Sequence, residues 1–297
     1  MPLYLANGLR FIDGVGKGIK DSPKDALIAE STEGKTRGKG FGIVRALDTF
    51  GSVVGPLLLF VLLYVLRNNT LQYHYIFIIT AVPLVFTLGI LKFFVKEAEI
   101  PKIVVTDQTT SALPIKYYIF FGIVLFFSLG NASDTFLILR AQNVCVSLLS
   151  IPLVYALFNA VYASASIPLG SLSDKIGREK VILFGWIAYA VAYFGFTKAQ
   201  TSLAIWFLFA FYGIYYATTE GVVKAFIADL VLSGHRGKAY GIYNALIGLI
   251  TLPASFIAGL LWDKISPATP FYFTSGIACI SIVSLFIFMK AFSRKLR

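Results

Sequence analysis

The sequence predicts an all-α protein, a polytopic transmembrane helix bundle, and three observations carry that expectation. Of its 297 residues, 57% are hydrophobic and 14% charged, against about 25% charged in a soluble domain. Apolar runs recur at lengths near the roughly 20 residues a helix needs to cross the hydrocarbon layer. The basic residues, which produce a net charge of +11, fall in short stretches between those runs, as they do on the cytoplasmic side of membrane proteins. That dispersal argues against a nucleic-acid partner. A spanning barrel would need segments of alternating polarity of about ten residues, and no such alternation recurs.

Apolar spans read at 41–66, 76–95, 117–139, 148–169, 181–197, 203–229, 241–262 and 270–289, and a charge-bearing segment at 3–30 makes about nine helices. Connections alternate between the two sides. Lys17, Lys20, Lys24 and Lys224 fall within helices; without them, sixteen Lys and Arg lie on one side against Arg67, Arg140, Lys198 and Lys264 on the other. The positive-inside rule then puts the C-terminus in the cytoplasm, and a plasma (inner) membrane location is expected. No signal peptide is evident at MPLYLANGLRFIDG.

An internal repeat is the next signal. ALIAESTEGKTRGKGFGIVRAL, from Ala26, aligns without a gap onto AFIADLVLSGHRGKAYGIYNAL, from Ala225, a shift of 199 residues. Arg37, Gly38 and Lys39 fall on Arg236, Gly237 and Lys238, and Gly42 falls on Gly241. Both copies lead from a connection on the basic side into a helix, which predicts parallel repeats related by an axis along the membrane normal.

The stretch GSLSDKIGREK carries Gly170, Asp174, Lys175, Gly177, Arg178 and Lys180 in a spacing that resembles the loop signature of the major facilitator superfamily; Glu179 departs from it. The resemblance implies two six-helix bundles, with this chain supplying helices 4 to 12. Residues 1–95 are then a partial N-terminal bundle, 96–116 a cytoplasmic linker and 117–297 a complete C-terminal six-helix bundle. It also implies that Asp174 caps a neighbouring helix N-terminus, near Gly38 to Gly42, and holds the cytoplasmic side shut. A carboxylate is stabilised there by unpaired N–H groups and the helix dipole.

Intramembrane charges mark candidate sites because they must pair or face a cavity. In the first copy Arg10, Asp13, Lys17, Lys20 and Lys24 share one helix face, flanked by Asp21 and Asp25. Arg10 resembles the helix-4 arginine linked in the family to substrate or proton coupling. Arg45 and Asp48 share a face of the next helix, as cavity residues or as an ion pair. Gly51, Gly55 and Pro56 resemble the helix-5 antiporter motif, although Leu58 and Leu59 stand where a glycine pair is usual. In the second half Asn131, Asp134, Glu220 and Lys224 are substrate or proton candidates, with Glu220 and Lys224 spaced for an intrahelical pair. Arg140 is expected at the outer surface.

His74 and His235 are read in loops on opposite sides, and Cys145 and Cys279 have no metal-ligand spacing, so neither a metal nor a cofactor is expected. No nucleophile and base constellation or phosphate-cradling loop marks an enzyme or an ATP-driven pump. The expected function is a secondary transporter moving a small-molecule substrate by alternating access, coupled to protons, with export as the suggested direction. The alternative is a non-transporting remnant of such a protein. Its expected surroundings are the lipid bilayer, with no obligate protein partner.

Overall fold

The computed structural model describes residues 20–67, 69, 71–94 and 112–293. Arg10, Asp13 and Lys17, with most of the expected linker, lie outside them. Helix α1 is described over 20–31. It is followed by α2 (Arg37–Val65), α3 (Gln72–Phe94), α4 (Ile115–Gly130) and α5 (Thr135–Asn143), then α6 (Ile151–Ile176), α7 (Arg178–Lys198) and α8 (Ser202–Leu230), and last α9 (Arg236–Lys264) and α10 (Thr269–Ser293). No strand occurs among the described residues, and seven spans there are long and apolar enough to cross a membrane. The chain is a polytopic helix bundle.

Its exterior is apolar, as lipid requires. Leu47, Phe50 and Val54 on α2, and Phe77, Val82 and Phe86 on α3, are all exposed. The interior is aromatic. Trp186 of α7 stacks on Phe127 of α4 at 4.5 Å between ring centroids, and Tyr189, Tyr212 and Phe271 are fully buried beside them. Many helix hydroxyls bond back to the carbonyl four residues earlier, among them Ser128 to Val124, Ser166 to Tyr162 and Ser281 to Ile277. That is how a short polar side chain is satisfied without water.

The repeat is visible in the helix ends. Helices α2 and α9 each have 29 residues, and both their first and last residues differ by the same 199 positions as the sequence repeat; α1 and α8 end in that register too. The two corners lie on the same side of the bundle: Arg37 Nε and Arg236 Nη1 donate to one carbonyl, that of Ala29, at 3.3 and 3.1 Å.

Three local expectations are corrected. The span read as continuous over 117–139 is broken at Asn131–Asp134, between α4 and α5. Gly130, Asn131, Ser133 and Asp134 are turn formers, and Ser133 ties the break to Thr135 through its hydroxyl at 2.9 Å. The stretch from Gly170 to Lys180 is hardly a loop: Gly177 alone leaves the helical conformation, at φ 101°, a region that favours glycine. His74 lies in the first turn of α3, and His235 is buried in a 3₁₀ turn before α9.

Candidate functional site

Helices α2 and α6 meet through small residues. A Cβ on Gly42 would come within 2.5 Å of the Ser166 carbonyl oxygen, and one on Gly170 within 2.4 Å of that of Gly38. Glycines four apart on one face let two backbones touch. This close approach brings Asp174, near the end of α6, to the first turn of α2. Its carboxylate accepts from Gly38 N and Lys39 N, each at 2.9 Å, the position the sequence signature predicts for it. Both amides lack partners within their own helix, so the carboxylate satisfies them and the helix dipole together.

Arg178, the first residue of α7, ties this corner further. It donates to Asp174 at 2.8 Å and to the Gly34 carbonyl at 2.8 Å, and it pairs with Asp229 of α8. Asp229 also pairs with Arg37. Gly170 is the packing surface, and Gly177 turns the chain so that Asp174 and Arg178 face each other. Lys175 and Lys180 are exposed.

Along α8, carboxylates and a lysine reach across to α1 and α2. Glu220 pairs with Arg45 at 3.0 Å and accepts from Tyr162 of α6. Lys224 pairs with Asp25 at 2.6 Å, the two side chains being only 6% and 2% exposed. This replaces the intrahelical Glu220–Lys224 pair of the sequence reading, because each residue finds a better-placed opposite charge on another helix. Arg45 and Asp48 likewise do not pair with each other: Asp48 pairs with Lys24 at 2.6 Å on a half-exposed face. Asp25 and Lys224 are equivalent positions of the repeat, as are Phe41 and Tyr240, whose ring centroids are 6.4 Å apart. Equivalent residues can meet only near the axis that relates the copies, so these contacts locate it.

Next to this lacing is a cavity of about 270 Å³. Arg45, Asn131, Glu220 and Lys224 line it, with Asp21, Asn244 and a wall of Phe127, Trp186, Tyr215 and Tyr243. Tyr189 donates to Asn131 Oδ1 at 3.3 Å. Asp134 sits apart, at the break between α4 and α5, and accepts from Tyr212 at 2.9 Å and Tyr216 at 3.3 Å. Arg140 closes the far end of the bundle by donating to the carbonyls of Phe196, Thr197 and Ala199, where α7 ends. No group of three His, Cys, Asp or Glu able to hold a metal converges among the described residues.

The sequence reading missed Asp25, Arg37 and Asp229 as pairing partners, and Tyr162, Tyr212 and Tyr216 as carboxylate ligands. A signal for the tyrosines existed. Tyr212, Tyr216, Glu220 and Lys224 follow at intervals of four, which puts them along one face of α8.

Known proteins share this architecture. An uncharacterized MFS-type transporter of Methanocaldococcus jannaschii is 42% identical over 290 residues, covering 93% of this chain and 70% of its own. Multidrug resistance protein 3 of Bacillus subtilis is 26% identical over 188 residues, 62% of this chain and 36% of that protein. Among solved structures, the human organic anion transporter TETRAN has the same fold at TM-score 0.62 and 14% identity, over 89% of this chain and 67% of its own. The family model of the Major Facilitator Superfamily matches residues 3–143 and again 118–296. With a repeated helix corner, a capped α2, a family model that matches both halves and a 42% identical MFS-type relative aligned over 93% of this chain, this chain belongs to the major facilitator superfamily of membrane transport proteins.

Proposed function

We propose that the chain is a secondary transporter that moves a small solute across the plasma membrane by alternating access, coupled to protons and working in the export direction. In this reading residues 1–95 belong to one bundle and 117–297 to the other, with 96–116 as linker. The observation that carries it is the lacing along α8: Glu220 to Arg45, Lys224 to Asp25 and Asp229 to Arg37. These pairs, with Asp174 on the first turn of α2, hold α1 and α2 against α6 and α8; in this reading they are the closed gate at one end of the cavity, which opens only when the charges part. The bias of basic residues makes this the cytoplasmic end. Rocking of two bundles about a central site is how such repeats transport.

Asp134 and Glu220 are the proton sites of this reading. Each is a carboxylate held by tyrosine hydroxyls, and a proton gained by Glu220 would remove the charge that holds Arg45. The name of the Bacillus relative supports export. The test is transport by the full chain in proteoliposomes, with a panel of drugs, sugars and metabolites at two imposed pH gradients. Gradient-driven transport is expected, and Asp134→Asn and Glu220→Gln are each expected to lower it about tenfold or more. Transport unchanged in both variants rejects the coupling sites, and transport of no compound rejects the reading itself.

A further inference from the structure

The cavity is built by two copies of one motif, and its charges show where the copies differ. Under the shift of 199 residues Asp21 is the counterpart of Glu220, and Asn244 the counterpart of Arg45. All four line the cavity. Glu220 is neutralised by Arg45 at 3.0 Å. The amide of Asn244, standing where a guanidinium would complete the symmetry, donates instead to Ser22 at 3.1 Å and to Asp25 at 3.4 Å. Among the described residues no Lys or Arg forms an ion pair with Asp21.

Among the described residues the cavity is lined by two cations, and both are engaged, Arg45 by Glu220 and Lys224 by Asp25. Asp25, which pairs with Lys224, does not itself line the cavity, so among the described lining residues Asp21 is the one charge that forms no ion pair. Its wall is aromatic, with the stacked rings of Phe127 and Trp186 beside Tyr215 and Tyr243. Ring faces attract cations and pack well against flat apolar bodies. A carboxylate that forms no ion pair among the described residues, set beside such a wall, is the complement of a positively charged molecule with an aromatic or otherwise apolar body.

We infer that the solute is an organic cation with an apolar or aromatic body, its charge held by Asp21 and its body by the aromatic wall. This rests on the transport reading for its site and adds the chemical class of the cargo. An organic anion would have to break the Arg45–Glu220 or Lys224–Asp25 pair and would still face Asp21. The asymmetry between Asn244 and Arg45 is what selects the sign.

The test is equilibrium dialysis of the purified full chain with radiolabelled phenyltrimethylammonium, with benzenesulfonate, an anion of similar size, as competitor. Saturable binding of the cation is expected, with little displacement by the anion. Asp21→Asn is expected to weaken binding tenfold or more. Asn244→Arg, which supplies Asp21 with the counterpart of Arg45, is expected to weaken it comparably, with thermal unfolding confirming that both variants are folded. Equal competition by benzenesulfonate, wild-type affinity in Asp21→Asn, or no saturable binding of the cation overturns the inference. Binding needs no turnover, so a cation that binds through Asp21 yet never crosses a proteoliposome membrane counts against transport alone.

Discussion

The corner where α1 meets α2 and the corner where α8 meets α9 have their helices in the same register and different neighbours. On α2, Gly38 and Gly42 are pressed against α6, and a Cβ on either would collide with it within 2.5 Å. Their counterparts on α9, Gly237 and Gly241, have nothing within 4 Å among the described residues. On α2 the first-turn amides hold Asp174; on α9 no described carboxylate takes that place. A repeated sequence thus specifies a surface that can be capped and packed, and whether it is depends on what the fold brings to it.

The largest effect expected from this comparison is at the axis. Lys224→Met leaves Asp25 buried without its cation, and loss of one member of a buried pair costs about 3–5 kcal/mol. Because the two positions are equivalent, the exchanged pair Asp25→Lys with Lys224→Asp should recover more than half of that, measured by thermal unfolding in detergent. A double variant no more stable than the single one would break the claimed equivalence. The glycines come next. Gly42→Ala forces α2 away from the Ser166 carbonyl and should cost about 1–3 kcal/mol, whereas Gly241→Ala meets no described atom within 4 Å and should gain about 0.5–1 kcal/mol from helix propensity. Equal effects at both would sink the contrast. The smallest effect is at Lys24, whose pair with Asp48 is 35% and 45% exposed. Lys24→Ala should cost no more than about 1 kcal/mol, and added salt should reduce the difference.

How far the sequence was legible follows the same division between what a segment dictates and what its neighbours decide. Span positions, the repeat and the approach of Asp174 to α2 could be read from apolar length, a gapless shift and a short motif. The break at Asn131–Asp134 was not read, because a hydropathy count registers the apolar flanks and passes over Gly130, Asn131 and Ser133. The partners of Glu220 and Lys224 were misread because the four-residue rule describes an isolated helix, and Arg45 and Asp25 come from elsewhere. A clue to the second pair was available: the repeat sets Asp25 on Lys224, an exchange of charge at equivalent positions. Arg10 and Asp13 lie outside the described residues, and their roles stay as the sequence suggests them.

Gly177 has a mechanical consequence. With one residue between α6 and α7 and Arg178 bonded back to Asp174, the two helices have almost no slack where they join. Any force that pries α6 from α2 is therefore passed to α7, and through Arg178 to Asp229. The seal at this end should yield as one latch, releasing the α2 amides and the α8 carboxylate in a single event.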